Sequence, residues 1–185
     1  LYDPSYYLSN PVEILMIRKG GLASHGAAVG ILIGLWIFVK RSKGISFMWI
    51  LDRLATVIPL AGSFIRIGNF FNSEILGKPS DLPWAVIFGS VDSIPRHPVQ
   101  LYEAFSYMII SFILFFLYFK KDMAKKPGFL FGLFLILLFG ARFFLEFFKM
   151  NQAEFAAGWM INMGQLLSIP FVIAGFYLLL RGNKK

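Results

Sequence analysis

The sequence predicts an all-α, polytopic membrane protein, and three observations carry that prediction. First, the composition is too apolar for water: 57% of the 185 residues are hydrophobic, 18% aromatic and 15% charged, with a mean hydropathy of +0.67. Soluble domains carry roughly 25% charged residues. Second, five apolar runs approach the roughly 20 residues that ~30 Å of hydrocarbon requires. Third, basic residues gather on alternate connections between those runs. Twenty-two Phe against ten acidic residues cannot be hidden in one small aqueous core. A soluble globular domain, a disordered chain and a nucleic-acid binder are therefore excluded, despite the net charge of +8. The chain has no cysteine, so it can supply no disulfide, thiolate metal site or cysteine nucleophile. It begins at Leu1 with no charged leader and cleavage site ahead of it, and it reads as a chain lacking its beginning.

The expected spans are about 22–39, 47–65, 99–119, 128–148 and 163–180, within one transmembrane domain of residues 1–185. Each is helical, because backbone groups in lipid must pair internally and the runs are too long for barrel strands. The second carries Asp52, Arg53 and Pro59. Charges near a helix end reach the interface or pair inside a bundle. Residues 66–98 form the one long loop, and Pro79, Pro83 and Pro95 favour an ordered excursion. Gly26, Gly30 and Gly34 follow the small-xxx-small pattern of helix packing. The Phe-rich stripes read as lipid-facing surface.

Orientation follows from Lys and Arg. Lys40, Arg41, Lys43, Lys120, Lys121, Lys125, Lys126, Arg181, Lys184 and Lys185 share one face with Asp122. On the other face, Arg18, Lys19, Arg66, Lys78, Arg96 and Lys149 are balanced by Asp3, Glu13, Glu74, Asp81, Asp92 and Glu154. The positive-inside rule places the first face, and the C-terminus, in the cytoplasm and the N-terminal end outside. The net charge is thus a topology signal.

Polar residues in and beside the spans collect toward the outer face. His25 lies near the start of the first span. Arg66, Asn69, Asn72 and Glu74 follow the second in a glycine-flanked turn, and Arg96, His97, Gln100, Tyr102 and Glu103 open the third. Arg142 and Glu146 sit in the fourth, and Asn162 and Gln165 start the fifth. A spacing of four puts Arg142 and Glu146 on one helical face within pairing distance. Buried ionisable groups in membranes are costly and face a cavity or a partner. The planar fork of Arg binds phosphate oxygens in pairs, so this leaflet reads as a site for an anionic lipid headgroup. Each residue also has a plainer role open to it: Arg142–Glu146 as a structural pair, His25 or His97 as a helix-end group, Arg66 as a lipid anchor.

Five ordered stretches resemble bacterial prolipoprotein diacylglyceryl transferases. They are Gly-Gly-Leu-x-Ser-His25-Gly26; Arg66-x-Gly-Asn69-Phe70-x-Asn72-x-Glu74-x-x-Gly77; Arg96-His97-Pro98-x-Gln100-Leu101-Tyr102-Glu103; Arg142-x-x-x-Glu146-Phe147-Phe148; and Met163-Gly164-Gln165-Leu166-Leu167-Ser168-x-Pro170. The family usually has seven spans, so the resemblance implies two helices and an outer loop ahead of Leu1. It implies a multi-pass enzyme of the bacterial cytoplasmic (inner) membrane, with its site toward the outer leaflet. The reaction moves the diacylglyceryl group of phosphatidylglycerol to the lipobox cysteine of a prolipoprotein signal peptide, forming a thioether and releasing glycerol 1-phosphate. No cofactor or metal is implied. By this resemblance, His25, Arg142 and Glu146 are the expected catalytic residues: His25 as base or proton shuttle for the thiol, a role that Arg142 and Glu146 could also fill by favouring the thiolate, and Arg142, aimed by Glu146, as the cation that steadies the departing phosphate. Arg66, Asn69, Glu74, His97 and Glu103 are expected to bind phosphatidylglycerol.

Two other readings compete. A non-enzymatic transport or assembly subunit would line a path with ionisable residues through mid-membrane, where only Asp52 and Arg53 come close. A metal site would need His25, His97 and a carboxylate, but the histidines lie far apart with no His-x-x-x-His spacing.

Overall fold

A computed structural model describes residues 24–120, 123–150 and 163–182. The element order is α1 (Ser24–Arg41), α2 (Phe47–Phe71), β1 (Val86–Ile87), β2 (Pro95–Arg96), α3 (Val99–Lys120), α4 (Phe129–Leu145) and α5 (Met163–Gly182), with 3₁₀ turns at Met123–Lys125 and Glu146–Phe148. Two compact units meet between Phe47 and Met48. In the first, α1 covers most of the first expected span and ends on Lys40 and Arg41.

Among the described residues, four helices are long and apolar enough to cross a membrane: Phe47–Phe71, Val99–Phe119, Phe129–Phe148 and Gly164–Arg181. At most 33% of any of these spanning segments is buried. Water would not tolerate that much exposed apolar surface, whereas lipid solvates it. On α3, Phe105, Phe112, Phe116 and Phe119 form one outward stripe at helical spacing, each more than half exposed. The fold is that of a polytopic helical membrane protein.

Without a hydrophobic driving force between helices in lipid, close approach and polar contacts hold a bundle together. Both are visible here. Ala55 of α2, Tyr107, Ile110 and Leu114 of α3, and Leu130, Phe134 and Leu135 of α4 form the buried core. Hydroxyls join α2 to α3: Ser63 donates to the Ala104 carbonyl at 2.8 Å, and Ser111 to the Thr56 carbonyl at 2.9 Å. At the α4–α5 crossing, a Cβ on Gly175 would lie 2.6 Å from the Gly132 carbonyl oxygen and 2.7 Å from Ile136 Cγ1. Only glycine allows this approach. Phe139 and Phe171 stack across the same pair at 4.2 Å.

Asp52 acts at the opposite end of α2 from Arg66. It is 1% exposed, and its carboxylate accepts from the Gly128 N–H at 2.7 Å and the Phe131 N–H at 2.9 Å. These are orphan donors at the start of α4, where Gly128 itself adopts φ +82° and supplies no side-chain cap. A residue 76 positions earlier thus caps a neighbouring helix. The carboxylate also complements the helix dipole. A charge that weakens α2 as an apolar span is the device that sets the start of α4. Replacing Asp52 with Ala is expected to destabilise the bundle by ~2 kcal/mol, since it removes a cap and strands two buried donors. Chemical denaturation in detergent micelles would show this as a lowered midpoint with unchanged helicity in the folded state.

Candidate active site

The first difference from expectation is that α2 does not stop near Ile65 but runs to Phe71. Arg66 and Asn69 are helical residues in its last turns, not members of a following loop. The reason lies on the next helix: Glu103 of α3 neutralises Arg66, with Arg66 Nε 3.0 Å from Glu103 Oε2. A span judged by hydropathy ends at the first charge, whereas a span with a partnered charge continues.

Glu103 is fully buried. Its Oε1 accepts from Lys149 Nζ at 2.8 Å, and Lys149 Nζ also lies 3.1 Å from Glu146 Oε2. Toward the loop, Arg66 Nη1 donates to Asn69 Oδ1 at 3.3 Å, and Asn69 Nδ2 donates to Glu74 Oε2. Asn72 Nδ2 reaches Glu74 Oε1 at 3.5 Å. The result is one continuous chain of alternating charge: Glu74, Asn69, Arg66, Glu103, Lys149, Glu146. The Arg66–Glu103 contact is ionic and not an aligned hydrogen bond, since Glu103 Oε2 has no hydrogen-bond partner among the described residues.

The expected Arg142–Glu146 pair is not formed. Helix α4 ends at Leu145, and Glu146 opens a 3₁₀ turn. That turn carries Glu146 toward Lys149, three residues on, and away from Arg142. A Cβ on Gly164, in the first turn of α5, would lie 2.7 Å from both Glu146 carboxylate oxygens. Glu146 therefore sits against a helix start, where the dipole favours an anion. Arg142 makes no ion pair or side-chain hydrogen bond among the described residues. It does lie close enough to Tyr107 for its charge to act on that hydroxyl, as do the charges of Arg66 and Glu103. The Tyr107 hydroxyl itself donates to Glu103 Oε1 at 3.5 Å.

Residues 72–98 form a built platform over this end of the bundle. The β1–β2 hairpin pairs Val86 with Arg96 and Ile87 with Pro95, and bridges tie Pro79 to Arg96 and Gly77 to Lys149. Lys78 N–H donates to the Phe148 carbonyl at 2.8 Å, and Met150 N–H to the Leu76 carbonyl at 3.1 Å. The segment carrying Lys149 is therefore an added edge against 76–78. Arg96 rivets the platform, donating to Asp92 and to the Gly77 carbonyl. Its guanidinium holds the Asp92 carboxyl below the usual carboxylate range. Ser73 and Ile75 both adopt positive φ, 58° and 55°, on either side of Glu74. Such a conformation is strained for a β-branched residue and persists only where surroundings over-determine it. Here the Glu74 N–H donates to the Asn69 carbonyl at 2.9 Å, and Gln100 Nε2 donates to the Glu74 carbonyl at 2.6 Å.

Three expected residues are placed differently from the rest. His97 lies outside the charge chain: its Nδ1 faces the Tyr102 hydroxyl at 3.4 Å, and its ring meets Phe148 edge-on at 5.1 Å. Trp84 Nε1 donates to the same Tyr102 hydroxyl at 2.7 Å. Glu103 is enclosed by two cations and presents no surface to an anionic headgroup. His25 lies in the first turns of α1, and its side chain, like all of Asn162, is outside the described residues. Lys149 and Tyr107 are the functional candidates that sequence reasoning missed. Their only signals were spacing, with Lys149 three residues after Glu146 and Tyr107 four after Glu103. Among the described residues, no cluster of three metal-ligating side chains exists.

A family model described as prolipoprotein diacylglyceryl transferase matches residues 1–181. The chain belongs to the prolipoprotein diacylglyceryl transferase family. It is 51% identical to the phosphatidylglycerol–prolipoprotein diacylglyceryl transferase of Tolumonas auensis, over the whole of this chain and 71% of that protein. It is 46% identical to the enzyme of the same name from Chloroherpeton thalassium, over the whole chain and 69% of the relative. For Bacteroides fragilis the identity is 44%, again over the whole chain and 70% of the relative. The network of charged and amide side chains, the strained Glu74 turn and an Arg142 with no ion pair among the described residues are thus features of a member of this enzyme family.

Gly77 offers a test of the platform. A Cβ there would run into the His97 carbonyl oxygen, so Gly77→Ala must push apart the strand that fixes Lys149. Transfer activity is expected to fall at least about tenfold, equivalent to ~1.4 kcal/mol of lost transition-state stabilisation. Membrane insertion should be unchanged, as read by protease protection alongside the activity assay.

Proposed function

We propose that this protein transfers the diacylglyceryl group of phosphatidylglycerol to the thiol of the lipobox cysteine in a prolipoprotein signal peptide. The thiol loses its proton, its sulfur bonds to the glyceryl carbon, and the bond from that carbon to the phosphate oxygen breaks. Glycerol 1-phosphate leaves with the electron pair, and the product is a thioether. The observation that carries this reading is Arg142, without an ion pair among the described residues, in a member of the family whose Arg66, Glu103, Lys149 and Glu146 are paired with one another. A free guanidinium is the group able to receive charge that develops on phosphate oxygens.

In this reading Arg142 is the catalytic cation, and Arg66, Asn69 and Glu74 face the glycerol phosphate headgroup. Glu146 and Glu103 are positioning residues, which hold the cations in place through Lys149 and Arg66. His25 is assigned as the base on its motif, and a thiol of ordinary pKa near 8.5 needs such help at neutral pH. His97 fixes the platform edge that borders the headgroup through Tyr102. The same reading places five spans, about 22–39, 47–65, 99–119, 128–148 and 163–180, in the bacterial cytoplasmic membrane as one transmembrane domain. The charge chain and residues 66–98 lie at the outer leaflet and the basic connections lie inside. Support for this orientation is the excess of Lys and Arg on the connections at the opposite end.

The test uses the protein in phosphatidylglycerol vesicles with a lipobox peptide that carries one cysteine. A diacylglyceryl mass shift of the peptide is expected, together with glycerol phosphate release. Arg142→Gln should lower the rate by at least about 100-fold, the scale of one lost transition-state donor. Inserted protein that gives no shift would overturn the reaction. A near-normal Arg142→Gln would overturn the site.

A further inference from the structure

Arg142 has no ion pair among the described residues, although a carboxylate lies four residues away in sequence, a spacing that permits one. Glu146 is instead claimed by Lys149, whose Nζ lies 3.1 Å from Glu146 Oε2 and 2.8 Å from Glu103 Oε1. Lys149 is 3% exposed, and its backbone is pinned by the Gly77 bridge and by its own N–H, which donates to the Glu146 carbonyl at 3.2 Å. A cation so enclosed has no room to bind a ligand. Its effect is on its neighbours.

The geometry points to Lys149 as a positioning residue that keeps Arg142 available for an anionic phosphate by holding Glu146 away from it. Two facts favour this over a purely structural bridge. Arg142, four residues before Glu146, is the alternative partner that the sequence offers, and Lys149 takes the place of that partner. Glu103 is already partnered by Arg66, so Lys149 is not its sole countercharge. Removing the Lys149 charge leaves Glu146 without its ion-pair partner, four residues from Arg142 in sequence, and an Arg–carboxylate pair there would compete with phosphate for the same fork. The inference rests on Arg142 as the phosphate-binding cation.

The experiment measures binding of unreacted phosphatidylglycerol, without the peptide, through quenching of the chain's own tryptophans by brominated lipid. Parent, Lys149→Met, Lys149→Gln, Lys149→Arg, Arg142→Gln and the Lys149→Met/Arg142→Gln double variant are compared. Lys149→Met is expected to weaken binding about tenfold, and Lys149→Arg to stay within about threefold of the parent. The double variant should bind no worse than Arg142→Gln alone, because both changes remove the same guanidinium from use. Lys149→Gln retains a donor for Glu103 and tests the charge where Lys149→Met fails to fold; it too should weaken binding. Parent-like binding by Lys149→Met or Lys149→Gln, with Arg142→Gln weakened, overturns the inference alone. Losses that multiply in the double variant overturn it as well, in favour of a structural bridge. Undiminished binding by Arg142→Gln overturns both the inference and the assignment of Arg142 as the phosphate-binding cation.

Discussion

The Glu103 carboxylate, buried between Arg66 and Lys149, is the interaction on which the rest of this end of the molecule depends. A lone buried carboxylate is prohibitively costly, and removing one partner of a buried pair typically costs 3–5 kcal/mol. That penalty makes the arrangement all-or-none. Arg66 must come from α2, so α2 must run past the point where hydropathy would end it. Lys149 must come from beyond α4, so the chain must leave the helix in a 3₁₀ turn and return along 76–78. Three helices and a loop are thus brought into register by one side chain of α3. With Glu146 turned to Lys149, Arg142 has no ion pair among the described residues.

Placement of charge also explains how the bundle is built at its other end. Asp52 is as buried as Glu103, but its partners are two backbone N–H groups of α4 and not a cation. Between these ends the helices are held by glycine approach at Gly132 and Gly175 and by Ser63 and Ser111 hydroxyls. Such contacts suit a bundle in lipid, where burying apolar surface gives little net gain between helices. The polar groups specify the arrangement, and the Phe-rich exterior leaves them undisturbed.

The platform of 72–98 connects this scaffold to the chemistry. Gly77 lets two strands approach, Arg96 and Asp92 fix the hairpin, and positive φ at Ser73 and Ile75 turns Glu74 back toward Asn69. Backbone strain of this kind survives because hydrogen bonds from Gln100 and to Asn69 over-determine the turn. The strained turn carries the exposed end of the charge chain, Glu74 with Asn69 and Asn72.

The sequence by itself determined the helical membrane class, the approximate positions of the spanning helices and the end at which polar chemistry gathers. Apolar run length, charge asymmetry and ordered motifs are local properties that survive without coordinates. Arg66, Asn69, Glu74 and Glu146, which the structure joins in one network through Glu103 and Lys149, were singled out for the same reason. Their pairing was not legible. Only tertiary structure decided that Glu146 turns to Lys149 and not to Arg142, because the end of α4 depends on a strand contact more than seventy residues away in sequence. Only tertiary structure extended α2 through Arg66, because the countercharge comes from another helix. The use of Asp52 was hidden likewise, since a cap on the N-terminus of a neighbouring helix leaves no pattern in the residues around it. Long-range charge partnership is what a linear reading lacks, and in this bundle it sets the helix ends and the partner that Glu146 takes.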